Sequence, residues 1–154
     1  MKNVRTVVKT IAVVAIVSVG LSSADTLPQD GFQEIPWGTS LARLEQKFEL
    51  SPLSTEGECH RYSSNIRKVG TAEVSECEFE FVRDEFAGVA ILTSGARNTH
   101  RLLAYLKKLF GEGHQESPWA YQWFSGQTHV FYDEDSDGDG YIYWYSRKLL
   151  IERE

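Results

Sequence analysis

Two cysteines, one methionine and four prolines in 154 residues exclude a disulfide-dense scaffold and a proline-rich linker protein. Positive charge is also in short supply. Sixteen Lys and Arg face 22 Asp and Glu, a formal net charge of −6, which argues against a general binder of nucleic acid or anionic lipid. The long apolar run, Ile11 to Leu21, falls short of the about 20 residues that span a bilayer. Catalytic signatures are missing too: there is no G-x-S-x-G elbow and no phosphate-cradling glycine loop. His60, His100, His114 and His129 form neither H-x-x-x-H nor H-x-H. What remains, 42% hydrophobic and 12% aromatic, is enough for one ordinary globular core.

Residues 1–24 differ from the rest. Lys2, Arg5 and Lys9 precede the apolar run, and Ser22-Ser23-Ala24 follows it. This is the tripartite pattern of a secretory signal peptide, with cleavage expected near Ala24–Asp25. No Cys follows Ala24, which disfavours a lipoprotein anchor. The expected location is therefore periplasmic or secreted, with no stable membrane insertion after cleavage. Without that segment the net charge becomes −9, which favours attraction to cations or basic partners. In an oxidising compartment Cys59 and Cys77 are expected to pair, a crosslink contributing roughly 3 kcal/mol. The rival role, a nucleophilic cysteine, needs a low-pKa setting that the sequence does not display.

Residues 25–31 are polar, contain Pro28 and read as a loose leader; residues 32–154 read as a single domain. Thr39 or Ser40 is placed to cap a short helix with Leu41, Leu44 and Phe48 on one face. A second helix is expected from Asn98-Thr99, with Leu102, Leu103, Leu106, Leu109 and Phe110 inward and Gly111 at its end. Strands are expected at 58–62, 77–83, 89–93, 121–125, 128–132 and 141–146. In the second of these, Cys77, Phe79 and Phe81 alternate with Glu78 and Glu80, as in a sheet wet on one side. Glu76, Glu78 and Glu80 share that wet face. Helix then strands, twice over, predicts an α+β fold: an antiparallel sheet with two helices packed on one face, and a possible helix–strands pseudo-repeat.

The stretch Phe32-x-x-Ile35-Pro36-Trp37-Gly38-Thr39-Ser40 resembles the opening of small exported bacterial α+β proteins, mostly uncharacterised, that begin F-x-x-I-x-W-G-x-[ST]. The passage into the helix is similar to that of the β-lactamase inhibitory protein fold and of small outer-membrane assembly lipoproteins. The resemblance covers about ten residues. Pro36 and Ser40-Leu41-Ala42-Arg43 depart from the usual G-M-[ST]-x-x-x-V. It implies a helix pair on an antiparallel sheet and a binding role rather than catalysis, and it transfers no functional residue.

Asp135-Ser136-Asp137-Gly138-Asp139-Gly140-Tyr141-Ile142 resembles the first eight positions of an EF-hand loop. Asp135, Asp137 and Asp139 would offer carboxylates to a hard cation and Tyr141 its carbonyl, so calcium is the candidate cofactor. Position twelve is Ser146 instead of a bidentate Glu, which places the affinity at about 10⁻⁴ to 10⁻³ M. The alternative is a polar hairpin turn, in which Asp and Gly are common.

Ten of the 19 aromatics lie between Trp119 and Tyr145, and Tyr141, Tyr143 and Tyr145 would share one strand face. That face is a candidate surface for a protein or glycan of the cell envelope; the alternative is cross-strand packing that strengthens the sheet. The expected function is a non-catalytic binding or inhibitor-type module. A calcium-stapled structural envelope protein is the second reading, and a hydrolase with an unrecognised site the third.

Overall fold

A computed structural model describes residues 30–151. The expected signal peptide and most of the leader lie outside the described residues. The leader's last two residues, Asp30 and Gly31, are held in place. The Asp30 carboxylate accepts the Gln127 N–H at 2.7 Å, and the Gly31 carbonyl accepts the Trp144 indole N–H at 3.0 Å.

The chain opens with a two-residue ladder, β1 (Gly31–Phe32) with β2 (Ile35–Pro36), which delivers Phe32 and Ile35 to the core. Helix α1 (Leu41–Glu45) follows. Ser40 is its cap, its hydroxyl accepting the Arg43 N–H, while the Thr39 hydroxyl donates to the Pro36 carbonyl. Strands β3 (Leu50–Glu56) and β4 (Cys59–Ser64) come next, then a small ladder of β5 (Lys68–Val69) and β6 (Ala72–Glu73). Strands β7 (Glu76–Val82) and β8 (Glu85–Thr93) form a hairpin. Its two turn residues, Arg83 and Asp84, both have positive φ (51° and 63°), as a two-residue turn matching the strand twist requires. Gly88 lies inside β8.

Helix α2 (Ala96–Phe110) starts two residues before the expected Asn98-Thr99 cap, because those side chains have other partners. The Asn98 side chain accepts the Glu73 N–H, and the buried Thr99 hydroxyl donates to the Gly138 carbonyl at 2.7 Å. Strands β9 (His114–Ser117), β10 (Ala120–Ser125), β11 (Thr128–Glu134) and β12 (Gly140–Ser146) then run in succession, followed by a short helix α3 (Arg147–Leu150).

Eight strands form one antiparallel sheet in the order β3-β4-β7-β8-β12-β11-β10-β9. A helix followed by four sheet strands thus occurs twice, and the last strands of the two units, β8 and β12, meet at the centre. The α+β architecture with a helix–strands pseudo-repeat is as expected. On one face Cys77, Phe79, Val89, Ile91, Val130, Ile142 and Trp144 are buried together with Leu44 of α1 and Leu102 and Leu106 of α2. Full burial of a Phe or Leu side chain is worth about 1.5–3 kcal/mol, so this face supplies most of the driving force. Trp144 anchors it, edge-on to Phe32 at 5.0 Å and to Phe110 at 5.2 Å.

Candidate functional site

Among the described residues the other face of the sheet carries no long helix, and pairing register reads directly as three rows of side chains across it. The first runs Ser63, Glu78, Ala90, Tyr143, Phe131, Gln122. The second runs Arg61, Glu80, Gly88, Tyr145, His129, Phe124, and the third Glu76, Leu92, Tyr141, Asp133. Tyr141, Tyr143 and Tyr145 do share this face, with Tyr141 41% exposed and Tyr143 and Tyr145 half-buried. Tyr143 and Tyr145 stack at 4.8 Å between centroids. Helix α3 covers one end: Leu150 lies against Gly88, where a Cβ would sit 3.4 Å from Leu150 Cδ1 and 3.3 Å from Tyr145 Cβ.

Because β8 presents only Gly88 and Ala90 between larger neighbours, a recess of about 190 Å³ opens in the middle of the face. Arg61, Glu78 and Glu80 line one side, Tyr141 and Tyr143 the other, with Ala90 and Leu92 between. Glu80 is 7% exposed, so the expectation of a fully solvated glutamate row fails at this residue. The reason is a pair of donors. Tyr143 Oη donates to Glu80 Oε2, and Cys59 Sγ donates to Oε1 at 2.8 Å. Such charge-assisted bonds stabilise a carboxylate that burial alone would disfavour. Burial, followed by the bond to Glu80 and its charge, pushes the Tyr143 phenol well above its ordinary range. Burial works against the Arg61 charge, but Glu80, Tyr143, Cys59 and Glu78 together hold its pKa above the ordinary value.

His129 shows how the tyrosine strand is braced. Tyr145 Oη donates to His129 Nδ1 at 2.5 Å, and Nε2–H donates to Gln122 Oε1 at 2.8 Å, so the neutral ring is satisfied on both nitrogens. Burial, then the Arg147 charge, lowers its pKa.

Cys59 and Cys77 are not bonded to each other, a correction to the expected pairing. Cys59 is opposite Val82, whereas the Cys77 carbonyl accepts the Ser64 hydroxyl at the far end of β4. Five residues of strand separate the two positions, about 16 Å at about 3.3 Å per residue. A disulfide needs Cα atoms roughly 4.4–6.8 Å apart. The side chains also point to opposite faces, Cys77 into the core and Cys59 to Glu80. Burial raises the Cys77 thiol to about 11, which makes it inert rather than nucleophilic.

The acidic loop joins β11 to β12, and two of its carboxylates, those of Asp135 and Asp139, are engaged by backbone donors. Asp135 Oδ1 accepts the N–H groups of Asp137 and Asp139, each at 2.9 Å. Asp139 Oδ1 accepts the Gly95 N–H at 2.8 Å, at the start of α2. Tyr141 has strands on both sides, opposite Leu92 and Asp133, so its backbone lies within the sheet ladder. The Ser146 hydroxyl caps α3 through the Leu149 N–H. Among the described residues no three acidic, histidine or cysteine groups gather around one point. Beside the loop, Glu134 is bonded by Tyr132 Oη at 2.9 Å and by His100 Nε2 at 3.1 Å, with Trp119 58% exposed nearby.

Sequence reasoning missed Arg61 and the special place of Glu80. Alternation assigned Glu80 to the wet face; only the register that sets it opposite Arg61 and Gly88 brings them together. Comparison of the chain with protein-family models, curated proteins and solved structures finds no match. No helix among the described residues is long and apolar enough to cross a membrane.

Proposed function

We propose that this protein is an exported, non-catalytic binding module of the inhibitor type that engages a protein of the cell envelope through the open face of its sheet. The observation that supports the reading is the one-sided covering of an eight-stranded sheet. Both longer elements of the helix layer sit on the core side, while Tyr141, Tyr143, Phe131 and Phe124 remain on the other, Phe124 being 61% exposed. Aromatic area around a central polar recess is how interfaces concentrate binding energy. Glu78 and Glu80 project side by side from one strand rather than opposing each other across a cleft, which does not suit a carboxylate pair for hydrolysis.

Tyr141 is the residue to change, because its hydroxyl makes no hydrogen bond among the described residues. Immobilised protein is expected to retain a discrete partner from envelope extract, and Tyr141→Ala to lose it with an unchanged melting temperature. Identical capture by both proteins would refute the reading. A second reading, the loop as a calcium staple, is favoured only by the spacing of Asp135, Asp137 and Asp139.

A further inference from the structure

We propose that the central recess of the open face receives an arginine side chain presented by a protein partner; this rests on the reading of that face as a binding surface. Three observations converge on a cation. Arg61 is opposite Glu80 in the β4–β7 register, and that carboxylate already accepts from Tyr143 and Cys59. Glu78, the other acid in the recess, is half-buried and makes no hydrogen bond or ion pair among the described residues. Arg61 is the one cation lining the recess against the two acids Glu78 and Glu80, so the recess carries a net formal charge of −1.

The walls suit the same guest. Tyr141 and Tyr143 line the side opposite Glu78 and offer ring faces, which attract a guanidinium electrostatically. A planar guanidinium can stack on a tyrosine while forking two N–H groups onto one carboxylate, which an ammonium cannot match. An anion would meet two carboxylates, Glu78 and Glu80, against the single guanidinium of Arg61. The recess is built in advance: Glu80 fixes Tyr143, and the small Gly88 and Ala90 keep the floor low. The net charge of −9 without residues 1–24 steers basic partners toward the protein at long range.

The test uses n-butylguanidinium as the probe, with butyrate and the trisaccharide of N-acetylglucosamine for comparison. Titration followed by amide NMR is expected to shift Glu78, Ala90, Tyr141 and Tyr143 at millimolar guanidinium and to leave α2 unmoved. Added salt should weaken binding, since a half-exposed pair is screened. Glu78→Gln should weaken it about tenfold or more without changing the melting temperature, while Glu45→Gln on α1 should not. Salt dependence in the unaltered protein reports the same contact should Glu78→Gln perturb the fold. A silent recess, an equal response to butyrate, or a response to the trisaccharide instead would overturn the proposal. If Tyr141→Ala still abolishes partner capture while guanidinium gives no shift, the face binds but not through arginine. If guanidinium binds and capture is indifferent to Tyr141→Ala, the partner half of the proposal falls along with the reading of the face.

Discussion

At the scale of single residues, the open face is set by groups whose protonation is fixed by their neighbours. His129 is the one that reports on this in an accessible pH range. Its pKa in the folded protein lies below the ordinary 6.5, because burial and the Arg147 charge disfavour the imidazolium. An unfolded chain therefore binds the proton more readily. The stabilising contribution is complete above about pH 6.5 and is lost as the pH falls from there through the lowered folded value. The urea midpoint is thus expected to drop between about pH 7.5 and about pH 5.5, and His129→Gln should flatten that drop. An equally steep profile in the variant would place the pH dependence elsewhere. Protonation would also cost the Nδ1 acceptor of Tyr145, so the stack of Tyr143 on Tyr145 should loosen over the same range.

At the scale of elements, legibility followed burial. The helices with a clear apolar stripe and the strands with strict alternation, β7 and β12 above all, could be read because one of their faces is in the core. Strand β3 could not: it is an edge strand, almost wholly exposed, with Pro52 beside a register shift, and nothing in Ser-Pro-Leu-Ser-Thr alternates against a core. The cysteine pairing failed because spacing along the chain says nothing about register between strands. The acidic loop was ambiguous for another reason, since its ligand spacing also serves a protein-only clamp. Asp139 accepts from Gly95 and Gly138 from Thr99, which ties the β11–β12 loop to the start of α2. Asp139→Ala is accordingly expected to cost about 1 kcal/mol in the presence of a chelator, read by denaturant titration. Calcium closing the same loop with a dissociation constant near 10⁻⁴ M would add roughly 1.4 kcal/mol at about 1 mM free ion. A melting curve unmoved by millimolar calcium returns the loop to the clamp alone.

At the scale of the whole molecule, the two helix-and-four-strand units do not keep separate cores. Phe32, from the ladder that leads into the first, lies edge-on against Trp144 of the second. The Trp144 indole N–H is spent on the Gly31 carbonyl, and the Trp37 indole N–H donates to the Thr128 hydroxyl at 2.9 Å. The central ladder between β8 and β12, from Gly88 opposite Tyr145 to Thr93 opposite Gly140, joins the units along almost the full length of β12. Removing either unit would expose that ladder and strip the partners from Phe79, Ile91 and Ile142 together, so neither half can bury enough apolar area by itself. The protein is therefore expected to unfold in one cooperative step. Hydrogen exchange should show the most protected amides of β7 and of β11 opening with the same free energy, and Trp144→Phe should lower both equally, by about 1–3 kcal/mol for the lost bond and packing. Two separate opening energies, or a variant that weakens only β11, would mean that the halves fold as independent units despite the shared core.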